Sequence, residues 1–166
     1  MTISLKAILL FLAIFLTGLS AGLFYAWAVS VIPGTQKISD NAYLEAMQSI
    51  NRAILNPVFY LSFMGSLLFL SLASITQYKS GLTFWLILFA TILYLAGTFG
   101  VTVFGNVPLN DQLEALDLTQ LGPDQKAVFR AQYEVVWNRL HMIRTIFSLV
   151  AFGLSLLSAF SITEST

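Results

Sequence analysis

From Ala7 to Val31 the chain runs 25 residues without a charged side chain. About 20 apolar residues cross the hydrocarbon core of a bilayer, and this run exceeds that length. A signal-peptide core is shorter and leads to a small-residue cleavage site. The segment is therefore expected to remain as a first transmembrane helix, ended by Pro33-Gly34. Three further apolar stretches follow: Pro57 to Ile75, Leu82 to Phe104 and Ile146 to Ile162. Only Gln77-Tyr78-Lys79-Ser80-Gly81 separates the second from the third, so these two must return antiparallel. The spans are expected at about 5–32, 57–76, 82–105 and 142–162, within a single membrane domain over 1–166. Charged residues make up 10% of the chain, against about 25% in a soluble domain. That deficit makes this an integral membrane protein and supports an all-α, four-helix transmembrane bundle.

The segments between the spans are polar and partly helical. Ser39, Asp40 and Asn41 are N-cap candidates. Beyond them Tyr43, Met47, Ile50 and Ile54 recur at helical spacing, with Glu45, Gln48 and Arg52 elsewhere on the turn. This predicts an amphipathic interfacial helix before the second span. Asn56-Pro57 breaks it. After the third span, Pro108 is expected to stop the helix, leaving carbonyls that Asn106 and Asn110 could satisfy. A ligand-contact role for the same two amides stays equally open. Leu109, Leu113 and Leu116 suggest a short surface helix over 111–121. Gly122-Pro123-Asp124 then closes one helix and opens the next. The last helix, from about Asp124 to Ile162, is too long for a bilayer, so its first turns stand in water. Ser161 to Thr166 is expected as a frayed tail. Gly18 and Gly22 form a GxxxG pair suited to close helix approach inside the same chain.

Both polar connections fall on one side of the membrane, opposite both termini. Helical steps of three and four residues place Glu134, Trp137, Asn138, His141, Arg144 and Thr145 along one stripe of the last helix. Tyr25, Trp27, Asn51, Arg52, Asn56, Asn106 and Asn110 can converge on the same mouth, whereas the other end offers Lys6, Gln77 and Lys79. A titratable cluster at the mouth of a membrane bundle is a functional-site candidate. Interface anchoring and mutual pairing of these side chains are the structural alternative. The basic residues of the polar side would make it cytoplasmic by the positive-inside rule, although several of those arginines have acidic residues nearby that would hold them for other reasons.

The residue inventory limits the chemistry. There are no cysteines and one histidine, His141. Thiolate metal sites, three-His zinc and bis-His haem are thereby excluded within one chain. No Glu-x-x-His pair for a di-iron site, no P-loop and no dinucleotide turn is present, so no metal is expected, and a haem held by His141 alone stays open without any feature that argues for it. Zero net charge gives no support for nucleic-acid binding. Acid–base and electrostatic chemistry remains. His141 could act as a base near neutral pH, or Glu134 if buried. Asn106, Asn110, Asn138 and Arg144 could donate to an oxyanion. Asn51, Arg52 and Asn56 would complete the mouth, and Tyr25, Trp27 and Trp137 could stack on a flat substrate.

Val31-Ile-Pro33-Gly34, Ala46-Met-Gln-Ser-Ile-Asn51-Arg52-Ala-Ile-Leu-Asn56-Pro57, Asn106-Val-Pro108-Leu-Asn110 and Trp137-Asn138-Arg139-Leu-His141-Met-Ile-Arg144-Thr145 together resemble the recurring segments of the anthrone oxygenase-like membrane family. The likeness runs from about Ala7 to Phe160. It implies a small four-span membrane protein, of the bacterial type and so of a bacterial inner membrane. It also implies an oxygenase that turns an anthrone or similar flat phenolic substrate over with O₂ and no bound cofactor. The expected partners are a hydrophobic small molecule, O₂ and the lipid bilayer. A non-enzymatic small-molecule binder or accessory membrane protein is the alternative. A transporter is harder to build from four spans without an internal repeat.

Overall fold

The computed structural model describes residues 4–161. These form five helices: α1 Leu5–Thr35, α2 Asp40–Ala53, α3 Pro57–Thr76, α4 Leu82–Glu114 and α5 Pro123–Ser161. Four of them, all but α2, are long and apolar enough to cross a membrane. α1 packs against α3 and α5, and α4 closes the ring against α3 and α5. At about 1.5 Å per residue, the 39 residues of α5 extend well beyond one bilayer core. The fold is thus an all-helical membrane bundle with an amphipathic helix before the second span. The tail expected beyond Ser161 lies outside the described residues.

Local sequence explains the helix starts. The Ser39 side chain accepts from Ala42 N–H and opens α2. The Asn56 side chain accepts from Val58 N–H and Phe59 N–H and opens α3, with Pro57 at its first position. In the α3–α4 turn Gly81 adopts φ 59°, ψ −128°, a conformation that only glycine reaches without strain.

Two expectations about proline need correction. Pro33 does not end α1, which continues to Thr35, and Pro108 does not stop α4, which continues to Glu114. In both helices a π-helical turn immediately precedes the proline, Trp27–Val31 in α1 and Thr102–Asn106 in α4. Ile32 N–H reaches back five residues to Trp27 O, and Val107 N–H to Thr102 O. The wider turn relieves the clash between a proline ring and the carbonyl four residues back, so the helix survives. The surface helix expected over 111–121 is instead the last turns of α4, ending at Glu114.

Two cores stack along the bundle. The membrane core gathers Leu10, Phe24, Phe63, Leu70, Ile87 and Tyr94 with Ala13, Ala73, Ala90 and Ala151. Close helix approach there uses glycine. A Cβ on Gly97 would lie 2.0 Å from the Phe147 ring, and one on Gly18 2.9 Å from Phe152. Gly18 therefore meets α5 of its own chain, whereas Gly22 faces open space. The second core seats α2 on α4 and α5 through Tyr43, Leu44, Met47, Leu113, Tyr133 and Trp137.

Candidate functional site

Between the two cores lies a cavity of about 230 Å³ to which all five helices contribute. α1 supplies Phe24 and Trp27, α2 Ile50, Asn51 and Arg52, and α3 Phe59. α4 supplies Thr102, Asn110, Asp111 and Glu114, and α5 supplies Trp137, His141 and Arg144. Trp137, His141 and Arg144 share one face of α5 because they are four and three residues apart. The space is smaller than the roughly 300–1,000 Å³ of drug-sized pockets, and its wall is mainly aromatic and aliphatic.

Among its buried polar groups is a stacked cation. Arg144 is 8% exposed. Its guanidinium carbon sits 4.7 Å from the Phe24 ring centroid and 5.2 Å from that of Trp137, cation–π distances. The ion pairs among the described residues are Arg52–Glu114, Arg130–Asp40 and Arg130–Glu134, so Arg144 has no carboxylate partner. Its hydrogen bonds go to neutral groups. Nε and Nη2 donate to His141 Nδ1 at 3.2 and 2.9 Å, and Nη1 to Thr102 Oγ1 at 3.4 Å.

These contacts fix the state of His141. A guanidinium has no acceptor, so Nδ1 must accept with its lone pair. The carbonyl of Phe24 can only accept, so Nε2, at 3.1 Å, carries the proton and donates to it. The imidazole is neutral, is fully buried, and has both nitrogens engaged. Trp137 stacks on it with centroids 5.1 Å apart and planes 6° apart, and Trp27 leans on both rings.

A hydrogen-bonded collar surrounds this floor. Asn110 Oδ1 accepts from Trp137 Nε1 at 2.8 Å and from Tyr133 Oη at 3.1 Å. Asn51 Nδ2 donates to Tyr133 Oη at 3.4 Å, and Gln48 Nε2 donates to the carbonyls of Leu113 and Leu116. At the rim, Arg52 and Glu114 form an exposed ion pair of 2.8 Å. Asp111 lines the cavity beside them and takes part in none of the ion pairs.

Farther toward the water, Arg130 ties the α1–α2 connection to α5. It bonds Asp40, Glu134 and the carbonyls of Thr35 and Ile38, and lies on the Tyr43 ring. Burial, reinforced by the Glu134 carboxylate, pushes the Tyr43 hydroxyl well above the usual tyrosine range.

Of the residues singled out in the sequence, Trp27, Asn51, Arg52, Asn110, Trp137, His141 and Arg144 line the cavity. Glu134 does not: its carboxylate is held 2.8 Å from Arg130 Nε. Asn138 also lies off the cavity wall. Both sit about 100° round α5 from the Tyr133–Trp137–His141 line, enough to leave the lining face. Asn56 is spent on capping α3, and Tyr25 is exposed on α1. Asn106 is fully buried behind the wall. Its Nδ2 donates to the Trp137 carbonyl, while its Oδ1 is the one buried side-chain atom without a partner among the described residues. Neither Asn106 nor Asn110 caps a helix end, because no helix ends there. Sequence reading missed Asp111, Glu114, Thr102 and Phe24. The first two become visible as lining residues only once α4 is known to pass through Pro108.

Fold and site together define a four-span membrane protein with an aromatic cavity floored by a lone arginine. Residues 47–154 match the family model described as anthrone oxygenase, and the chain belongs to that family. The match covers the cavity residues of α2, α3, α4 and α5, while those of α1 precede it. Comparison with curated proteins and with solved structures gives no match.

Proposed function

We propose that the cavity binds a flat, enolisable aromatic substrate of the anthrone or phenol type and that the protein oxidises it with O₂. The observation that carries this reading is Arg144, a buried cation without a carboxylate, open to an aromatic-walled space. An uncompensated charge is expensive to bury, and its benefit would come from an anion that forms there. A guanidinium already in place stabilises developing negative charge without reorganisation.

The chemistry then balances without a further oxidant. Loss of a proton from the carbon between the aryl rings gives an enolate whose oxygen rests on Arg144. The enolate carbon gives electrons to O₂, a C–O bond forms, and protonation gives a hydroperoxide. Loss of the remaining C–H proton with cleavage of the O–O bond yields the second carbonyl and one water. The overall change is anthrone plus O₂ to anthraquinone plus H₂O. Trp27 and Trp137, whose rings already meet at 5.9 Å, would together wall one side of the ring system. The first proton needs an acceptor with a free lone pair. His141 has none in its present bonding, Glu134 is off the cavity, and Glu114 faces Arg52. Asp111 is the carboxylate left for that role.

A non-enzymatic binder is the second reading, favoured by the absence of an unengaged base on the cavity floor. Purified protein in detergent with an anthrone and an oxygen electrode separates the two. Turnover with one O₂ consumed per quinone formed, lost in Arg144→Gln, supports the enzyme. Ligand binding without O₂ uptake supports the binder, and neither binding nor uptake refutes both.

A further inference from the structure

Arginine side chains in protein interiors are ordinarily held by carboxylates, which fix the guanidinium and cancel its charge together. Here the two tasks are separated. His141 supplies the acceptor that a carboxylate oxygen would supply, accepting at Nδ1 from both Nε and Nη2 of Arg144. As a neutral imidazole it adds no negative charge. Its Nε2–H anchors to the Phe24 carbonyl in α1, and Trp137 stacks against its face, so the acceptor is fixed at its far edge and on one face. The other polar contact of the guanidinium, Thr102 Oγ1, is also neutral. The charged groups on the cavity besides Arg144 are Arg52, Glu114 and Asp111, all exposed at the rim.

We propose that His141 is a positioning residue, a charge-neutral clamp that orients Arg144 while leaving its full positive charge for a bound phenolate or enolate. This deepens, and rests on, the reading of Arg144 as an anion site. The clamp sets ligand class. Between two ligands of equal shape, the cavity prefers the one that is ionised, and that preference passes through His141 without His141 exchanging a proton. Glutamine can reproduce both contacts, with its carbonyl toward Arg144 and its NH₂ toward Phe24. Glutamate can hold Arg144 but neutralises it.

The test measures binding of 4-nitro-1-naphthol, followed by its visible naphtholate absorbance, and of its uncharged methyl ether. The proteins are the wild type, Arg144→Gln, His141→Gln, His141→Glu and His141→Ala, each in detergent. The wild type is expected to prefer the naphtholate by about tenfold or more, the scale of a hydrogen bond to a charged group. His141→Gln should keep that preference. His141→Glu should lose it while binding the ether like the wild type, and His141→Ala should lose it with the orientation. If His141→Glu does not fold, retention in His141→Gln with loss in His141→Ala supports the clamp. The proposal is overturned if His141→Gln loses the preference as completely as Arg144→Gln, which marks a role only imidazole can fill, or if His141→Glu keeps it. Failure of the underlying anion site looks different: the wild type then shows no preference, and Arg144→Gln changes nothing.

Discussion

The two halves of the bundle satisfy their polar groups differently. In the membrane core most hydroxyls bond to their own helix. Thr17 donates to Ala13 O, Ser71 to Leu67 O, Thr91 to Ile87 O, Ser155 to Phe152 O and Ser158 to Ser155 O. Around the cavity the polar groups bond across helices. Gln48 reaches α4, Asn106 and Asn110 reach α5, His141 reaches α1, and Arg130 reaches the α1–α2 connection. The self-bonded half is held by shape, with glycines under aromatic rings. The cross-bonded half is held by named pairs. Substitutions should therefore cost by volume below the cavity and by partner around it.

The largest effect is expected where a charge serves function rather than packing. Arg144→Gln should lower O₂ uptake by about 10²–10³-fold, the scale of losing one oxyanion donor. It should leave thermal stability equal or higher, because an unpaired buried charge is removed. A fall in both together would make Arg144 a structural residue. Next comes Gly97→Ala. Its new Cβ collides with the base of the Phe147 side chain, which cannot swing clear, and overpacking of this kind costs about 3 kcal/mol. Thermal unfolding in detergent measures it, and adding Phe147→Ala should recover part of the loss. Asn110→Ala strands the Trp137 N–H and the Tyr133 O–H, a cost of about 2 kcal/mol. Its counterpart below, Ser155→Ala, removes only a bond to its own helix and should stay within about 0.5 kcal/mol. Equal losses at these two sites would dissolve the contrast. Smallest is Arg52→Gln, whose exposed pair with Glu114 contributes less than about 1 kcal/mol.

The spans were legible because length and apolarity are one-dimensional properties. The Trp137–His141–Arg144 line was legible because a helix repeats every 3.6 residues. Glu134 and Asn138 were drawn into that line because a stripe read from spacing is broad, and a single step of 100° decides which side chains face inward. Pro33 and Pro108 were read as stops because a proline's nearest-neighbour rules assume an α-helical turn before it, and nothing in Trp27–Val31 or Thr102–Asn106 announces a wider one. Asp111 and Glu114 were lost with Pro108. The engagement of both His141 nitrogens depends on Phe24, 117 residues away, and no local pattern carries that.

The π turns ahead of the two prolines give their helices a tolerance that an unbroken α-helical stretch lacks. Each holds one residue more than an α-helical path of equal rise would need. Removing one residue between Trp27 and Val31 should let α1 reclose as ordinary helix with everything N-terminal to it undisturbed. The same excision near Ala13 would swing the whole remainder of α1 by about 100° against its neighbours. Length variation along this polypeptide therefore has permitted addresses inside its helices as well as in its loops, and two of them lie beside the cavity.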